Sequence, residues 1–305
     1  LMGVSYARLR TADGGDLYVV GHALPFLDHM LPENWYETAW FEARRVRLPG
    51  TSCVYAVPTK EVRGRSIDLV VKYSRVGQFV PLETQVIHAA LLADFNSPFE
   101  EFALVEEARR DISRRRLPIG FQEPLGILVP PERMQLWQSG RSEARIAGKL
   151  ARHAGIEIDI LRDYLVVYRW LEGIDAVAAF DRGLLDHERL EALTRRAEAE
   201  LADLGFRVLD MKPNHVIVRT GPEGGLRRLA ESEDVEYGLV DHELLQRTPE
   251  REAEVRTRRQ REYQDGGCAG DLPSQAEPVS ILGVEYVSGR VESTGGMLWV
   301  RRRDA

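Results

Sequence analysis

The sequence predicts an α+β fold, and three observations predict it. Residues 38–75 carry alternating or continuous β-branched and aromatic content broken by Pro-Gly-Thr-Ser and Arg-Gly-Arg turns, the pattern of strands. Residues 187–205, HERLEALTRRAEAELADLG, place Leu190, Leu193, Ala197, Leu201 and Leu204 on one face of a helix, with Gly205 as its stop. Short apolar runs then return in FRVLD, VIVR and EYGLVD, so strands and helices share the chain. With 305 residues, 44% hydrophobic and 29% charged, the chain can bury a core in one large domain or in two lobes. Lys and Arg number 41 against 48 Asp and Glu, a formal charge of −7, which argues against a general nucleic-acid or anionic-membrane binder. The basic runs RRDISRRR (109–116) and RTRRQR (256–261) read as solvated helix faces. Cys53 and Cys268 are too few and too far apart for a disulfide framework or a Cys-based zinc site. No signal-peptide pattern and no apolar run of membrane-spanning length is visible, so the expectation is a cytoplasmic protein without a membrane partner.

The elements follow in order. LMGVSYARLRTADGGDLYVV (1–20) echoes ILGVEYVSGRVESTGGMLWV (281–300) when one residue is gapped before the paired glycines. Each copy reads as strand, Gly-Gly turn, strand, which predicts a duplicated hairpin outside or appended to the main domain. Such an exposed hairpin would invite edge pairing, hence homo-oligomerisation. TAWFEARRVRL (38–48), CVYAVPT (53–59) and SIDLVVKYSR (66–75) read as strands. A helix starts at Ser97, with Ser as N-cap, Pro98 at the first helical position and Glu100 and Glu101 at its positive end. LPIGFQEPLGILVP (117–130) reads as a strand pair broken by prolines, residues 135–156 have helical spacing, and DYLVVYRWLEG (163–173) is a buried strand running into a turn. After the helix at 187–205 come FRVLD, the loop MKPNH, the strands VIVR and EYGLVD, a charged helix at 249–264 and a linker at 266–278.

Four groups in this order are what an ATP site requires: a strand cation for the phosphates, a helix carboxylate to fix it, a loop Asp beside the transferred phosphoryl group, and a strand-end Asp for the metal. Lys72 in LVVKYSR is the strand cation, projecting among apolar neighbours. Glu101 lies at the border of the buried helix face, because Leu104, Val105 and Ala108 follow at +3, +4 and +7; Glu106 is the reserve. In VLDMKPNHVIV (208–218), Asp210 follows an apolar strand, Lys212 and Pro213 come two and three residues later, and a new strand starts at Val216. YGLVDHE (237–243) is an apolar strand ending in Asp241.

Together these segments resemble the protein-kinase-like superfamily over residues 40–250. The resemblance implies a two-lobed fold with a small β N-lobe and a shortened helical C-lobe, plus terminal hairpins. It divides the chain into 1–37, a hairpin and lead-in; 38–173, the N-lobe through the hinge; 174–265, a reduced C-lobe; and 266–305, the linker and second hairpin. It makes Asp210 and Lys212 the catalytic pair and has Lys72, Glu101 and the Gly50 turn bind nucleotide. VVYRWLEG (166–173) resembles the hinge, putting Tyr168 at the gatekeeper position and the backbone of Arg169, Trp170 and Leu171 against the adenine. Asp241, with His215 or Asn214, would hold the metal, so the implied cofactors are ATP and Mg²⁺.

The departures limit what the resemblance implies. LPGTSC (48–53) carries one glycine where the family has a glycine-rich loop, and Val208-Leu209 replaces its His-Arg. His215 stands where the family has Asn, an imidazole being less suited to hard Mg²⁺ than an oxygen ligand. His242-Glu243 replaces Phe-Gly and adds Glu243 as a further oxygen ligand. Only 64 residues (305 minus 241) follow Asp241, so a platform for a peptide substrate is not expected. The expected function is ATP/Mg-dependent phosphotransfer to an unknown, non-peptide acceptor; the alternative is a pseudokinase that binds a nucleotide or a protein partner without turnover. A third reading is an α+β binding protein of another kind, with the hairpins as its interaction element. Trp35, Tyr36 and Trp40 read as packing residues, and His22, His29, His88, His153 and His187 lack metal-ligand spacing. Cys53 is expected as a small buried residue.

Overall fold

A computed structural model of the chain describes residues 1–50, 52–81, 93–153, 156–221, 223–229, 234–266, 279–281, 284–290 and 297–301. The chain is mixed α+β and divides into two compact units, Leu1–Glu106 with Gln122–Leu171 and Pro278–Ala305, and Glu107–Phe121 with Glu172–Glu277. In chain order the first segments are β1 (Tyr6–Arg10), β2 (Asp16–Val20), α1 (Leu27–Met30), α2 (Thr38–Arg44), β3 (Val46–Arg47), β4 (Val54–Pro58) and β5 (Asp68–Tyr73). Next come α3 (Pro98–Arg115), β6 (Ile119–Phe121), β7 (Pro124–Val129), α4 (Leu136–Ser139), α5 (Glu143–Arg152) and β8 (Leu165–Arg169). The remainder holds β9 (Ile174–Asp175), α6 (Ala176–Asp181), α7 (His187–Asp203), β10 (Phe206–Val208), β11 (Val216–Val218), β12 (Tyr237–Leu239), β13 (Leu245–Arg247) and α8 (Pro249–Gly266). Three strands close the described chain, β14 (Val279–Ile281), β15 (Val284–Arg290) and β16 (Met297–Arg301).

The first unit is built on one ten-stranded sheet in the order β14-β15-β16-β1-β2-β7-β8-β5-β4-β3. Every neighbouring pair in it is antiparallel except β1 with β16. The central strands β7 and β8 are buried almost throughout, which their unbroken apolar runs require. Against the sheet pack Phe99, Phe102 and Ala103 of α3, in one core with Tyr6, Trp35, Val71, Ile127 and Val167. Tyr6 meets Phe102 edge-on with ring centroids 5.2 Å apart, and Trp35 is fully buried, the packing role expected of it.

Both copies of the repeat form hairpins, but the first is not appended to the domain. β2 pairs with β7 from Asp16↔Val129 to Val19↔Gly126, and β1 takes β16 on its other side. The hairpin is therefore interior to the sheet, and its edges are closed rather than offered to another chain. Its turn needs glycine: Gly14 sits at φ +90°, and a Cβ on Gly15 would lie 2.8 Å from both Thr11 Oγ1 and the Val129 carbonyl. The corresponding turn of the second copy, residues 291–296, lies outside the described residues.

A second correction concerns residues 38–44, expected as strand and found as α2. Ala39, Glu42, Ala43 and Arg44 are helix formers, and the adjacent Trp40 and Phe41 use their neighbouring directions differently. Phe41 is buried against Trp35, Tyr36 and Tyr55, while the Trp40 indole N–H donates to the Pro58 carbonyl at 2.9 Å. The start of α3 matches expectation: the Glu100 amide donates to Ser97 Oγ (3.1 Å) and the Ser97 amide to Glu100 Oε2 (2.6 Å), a reciprocal cap. Residues 135–156 form two helices, separated at Gly140, rather than one.

In the second unit, β6, β12, β11 and β9 form a four-stranded sheet with β6 parallel to β12, and β10 pairs with β13. α7 buries Leu193, Ala197 and Leu201 as its apolar stripe requires, and Asp186 caps it by accepting from the Arg189 amide at 2.8 Å. β9 is only two residues long, and β13, Leu-Gln-Arg, has no apolar run to mark it as a strand. The expected linker lies outside the described residues apart from Gly266, which ends α8. No helix among the described residues is long and apolar enough to cross a membrane.

Candidate functional site

In the first unit, β5 brings Lys72 into the sheet opposite Val54 on one side and Val166 on the other. Val166 is fully buried and Val54 half-buried, and only 5% of the Lys72 side chain is exposed. The ammonium lies 3.3 Å from Glu101 Oε1 on the first turn of α3, where the carboxylate is 2% exposed. Tyr168, the fourth residue of β8 and itself buried, donates its hydroxyl to the same Glu101 oxygen at 2.6 Å. The structure thus assembles the Lys72 ammonium, the Glu101 carboxylate and the β8 tyrosine into one buried cluster. Glu106, the reserve carboxylate, lies instead 3.9 Å from the His22 ring.

Gly50 occupies the turn between β3 and β4 at φ +138°, with no atom of the described residues beyond its chain neighbours within 4 Å of where a side chain would begin. Thr51 of that turn lies outside the described residues. Cys53 beside it is exposed, contrary to expectation, and Arg47 Nη1 approaches its sulfur at 3.4 Å. The reason is that Cys53 just precedes a strand whose partner on that side, β3, is only two residues long. At the end of β8, the Arg169 amide donates to the Glu123 carbonyl (2.8 Å) and the Trp170 amide to the Asp68 carbonyl (3.2 Å). Those two amides are paired with neighbouring strand backbone, and Leu171 follows them.

In the second unit, Asp210 follows β10, and its carboxylate, 7% exposed, receives Lys212 Nζ at 3.4 Å. Pro213, Asn214 and His215 then make one 3₁₀ turn, closed by the His215 amide donating to the Lys212 carbonyl at 2.9 Å. The His215 carbonyl accepts from the Val240 amide at 3.0 Å, which ties this turn to the end of β12. As a result His215 Nε2 lies 3.6 Å from Asp241 Oδ2. Asp241 itself adopts φ +62°, the left-handed region that costs a non-glycine residue on the order of 1 kcal/mol or more. His242 stacks flat on Phe121 with ring centroids 4.4 Å apart, and Glu243 is buried. The His-Glu pair after Asp241 is therefore packed into the unit, where a Phe-Gly pair would leave more freedom.

Asp241 and His215 offer a carboxylate oxygen and an imidazole nitrogen, a donor set that fits a divalent cation completed by phosphate oxygens and water. Among the described residues no group of three or more His, Cys, Asp or Glu side chains could hold a metal. Asn214 lies in the same 3₁₀ turn, half-buried.

The sequence did not reveal a second polar cluster. Glu100, beside Glu101, contacts His153 Nε2 at 2.5 Å and Lys149 Nζ at 2.9 Å, both on or just beyond α5. The available signal was the i,i+4 spacing of Lys149 and His153, but no local rule joins that pair to an acid some fifty residues earlier in the chain.

No protein-family profile matches the chain, and no curated protein does. Among solved structures, the 2.2 Å crystal structure of WbdD is 16% identical, with a TM-score of 0.29, over 68% of this chain and 33% of that one. Another structure, described as the bifunctional kinase-methyltransferase WbdD, gives 15% identity and a TM-score of 0.24 over 64% of this chain and 31% of that one. The Rv3197–erythromycin complex from Mycobacterium tuberculosis gives 14% and 0.31, over 80% of this chain and 60% of that one. The chain thus spans about a third of the WbdD chains it matches. Scores this low carry no argument about activity.

Proposed function

We propose that this chain is a protein-kinase-like phosphotransferase that uses ATP and Mg²⁺ to phosphorylate a non-peptide hydroxyl. The observation that carries the proposal is the buried cluster of Lys72, Glu101 and Tyr168. Taking an ammonium and a carboxylate out of water costs several kcal/mol per ion, and an apolar pair of the same volume would serve stability as well or better. Such a pair on a central strand and a helix start is explained by a need for a fixed cation. In the proposal Lys72 binds the α- and β-phosphates, with Glu101 fixing its direction.

In the second unit Asp210 orients the acceptor hydroxyl and takes its proton, while Lys212 offsets the charge that develops on the transferred group. Asp241 and His215, with Asn214 beside them, are the residues that would hold the metal, whose charge neutralises phosphate oxygens when it is bound. A non-peptide acceptor is favoured because the described residues after Asp241 include a single helix, α8, alongside the strands β13 to β16. The test is phosphoryl transfer from γ-labelled ATP to a panel of small hydroxyl compounds. Asp210→Ala should lower turnover by about 10²–10⁴-fold with nucleotide affinity retained. Equal turnover in that variant would sink the proposal.

One observation favours a second reading, a nucleotide-binding module without turnover. His215 Nε2 lies 3.6 Å from Asp241 Oδ2, so the imidazole stands against that carboxylate where a metal would otherwise sit. Nucleotide binding that is indifferent to Mg²⁺, with no transfer to any acceptor, would select it.

A further inference from the structure

Helix α5 lies between β7 and β8 in sequence and has no part in the chemistry above. It is nevertheless attached at two places, and these flank Lys72 and Glu101. The first is the exit of β5. Gly77 stands five residues after Lys72 at φ +80°, and a Cβ there would sit 2.7 Å from Ile146 Cδ1, so Ile146 of α5 rests on bare backbone. The Ser142 amide, at the cap of α5, donates to the Gly77 carbonyl at 2.8 Å, and Gln78 Nε2 donates to the Ser139 carbonyl at 2.8 Å.

The second attachment is the first turn of α3. Glu100 Oε1 meets His153 Nε2 at 2.5 Å, and Glu100 Oε2 meets Lys149 Nζ at 2.9 Å. Asp94, on the approach to α3, adds Lys149 at 3.6 Å, Arg152 at 2.9 Å and Arg145 at 3.5 Å. Glu100 and the Lys149 side chain are buried, so this is no surface lattice of charges. Burial alone would raise the Glu100 pKa, but the hydrogen bond from His153, the Lys149 ammonium and the Ser97 amide outweigh it and hold the carboxyl down to about 2. Glu100 is therefore an anchored carboxylate, and its neighbour in the chain is Glu101.

We propose that α5 is a brace that holds β5 and the start of α3 in the register at which Lys72 meets Glu101, with Lys149 and His153 as positioning residues acting through Glu100. Its functional consequence rests on the phosphotransferase reading; its geometry does not. Strand and helix are each gripped within a few residues of the ion pair, one by apolar contact and amide bonds, the other by charge. Loosening the charged grip should free Glu101 from Lys72 while the sheet core stays intact.

The experiment is competitive acetylation of the intact, nucleotide-free chain, read lysine by lysine by mass spectrometry. The chain has four lysines, so Lys60 and Lys212 are internal references. The variants are Lys149→Met, Lys149→Arg and the double variant Glu100→Gln/Lys149→Met, which leaves no buried charge unpartnered if the single change unfolds the chain. The proposal expects Lys72 labelling to rise by about tenfold in Lys149→Met and in the double variant, with Lys60 and Lys212 unchanged. Lys149→Arg should stay near wild type. Unchanged Lys72 labelling in the folded double variant would overturn the brace, and so would a parallel rise at all remaining lysines. Selective exposure of Lys72 in a protein that binds no ATP would retain the brace and remove the phosphotransferase reading.

Discussion

Glu101 receives two donors at once, the Lys72 ammonium and the Tyr168 hydroxyl, in a place where water is excluded. Removing it leaves a buried cation, so Glu101→Ala should cost about 3–5 kcal/mol in urea unfolding, whereas the double change Lys72→Met/Glu101→Leu should recover most of that. If Glu101→Ala costs no more than a surface substitution, the cluster does not hold the pair as described. His215 supports a different prediction. An imidazole donor beside Asp241 favours Mn²⁺ over Mg²⁺, so in the presence of ATP Mn²⁺ should raise the melting temperature of the wild type more than Mg²⁺ does. His215→Asn should narrow or reverse that order, and an unchanged order would remove His215 from the metal set. Lys72 stands out in the sequence because it sits on an apolar strand, and Asp210 because it closely follows one. Tyr168 was legible as a strand residue, but its bond to Glu101 was not, since it joins residues 67 apart in sequence.

At the scale of elements, α3 shows what local rules can carry. Ser97, Pro98 and Glu100 predict its start, and the reciprocal Ser97–Glu100 bonds are the capping pattern they encode. The same Glu100 is then used again by α5, which no capping rule foresees. Its depressed pKa gives a signed prediction. The ordinary value is 4.5 and the folded value about 2, so this carboxylate contributes stability that is fully present above about pH 4.5 and lost as pH falls toward 2. Lys149, His153 and the Ser97 amide face it directly, with Asp94, Arg145 and Arg152 behind them. Glu100→Gln should therefore be less stable than wild type at pH 7 and lose less stability between pH 5 and pH 3, as read from urea midpoints. Parallel losses in both proteins would contradict the assignment. Residues 38–44 show the opposite case. Their aromatic content reads as strand, yet helix propensity wins once Phe41 can be buried against Trp35 and Tyr55 without pairing to a strand.

For the whole molecule, the α+β class was legible because strand and helix patterns alternate with clear stops. The place of the N-terminal hairpin was not. Its repeat marks it as a unit, but β2 pairs with β7 more than a hundred residues away, a choice made by the buried faces of both strands. The polar groups that the sequence orders as Lys, Glu, Asp and Asp are divided by the fold: Lys72 and Glu101 are joined in the first unit, Asp210, His215 and Asp241 in the second. In the proposed function, ATP binding depends on both Lys72 and Asp241. Calorimetric titration of ATP, with and without Mg²⁺, into wild type, Lys72→Ala and Asp241→Ala tests it most directly. The account predicts binding that requires the metal and weakens by about tenfold or more in each variant. No binding at millimolar ATP, or equal affinity in all three proteins, would contradict it.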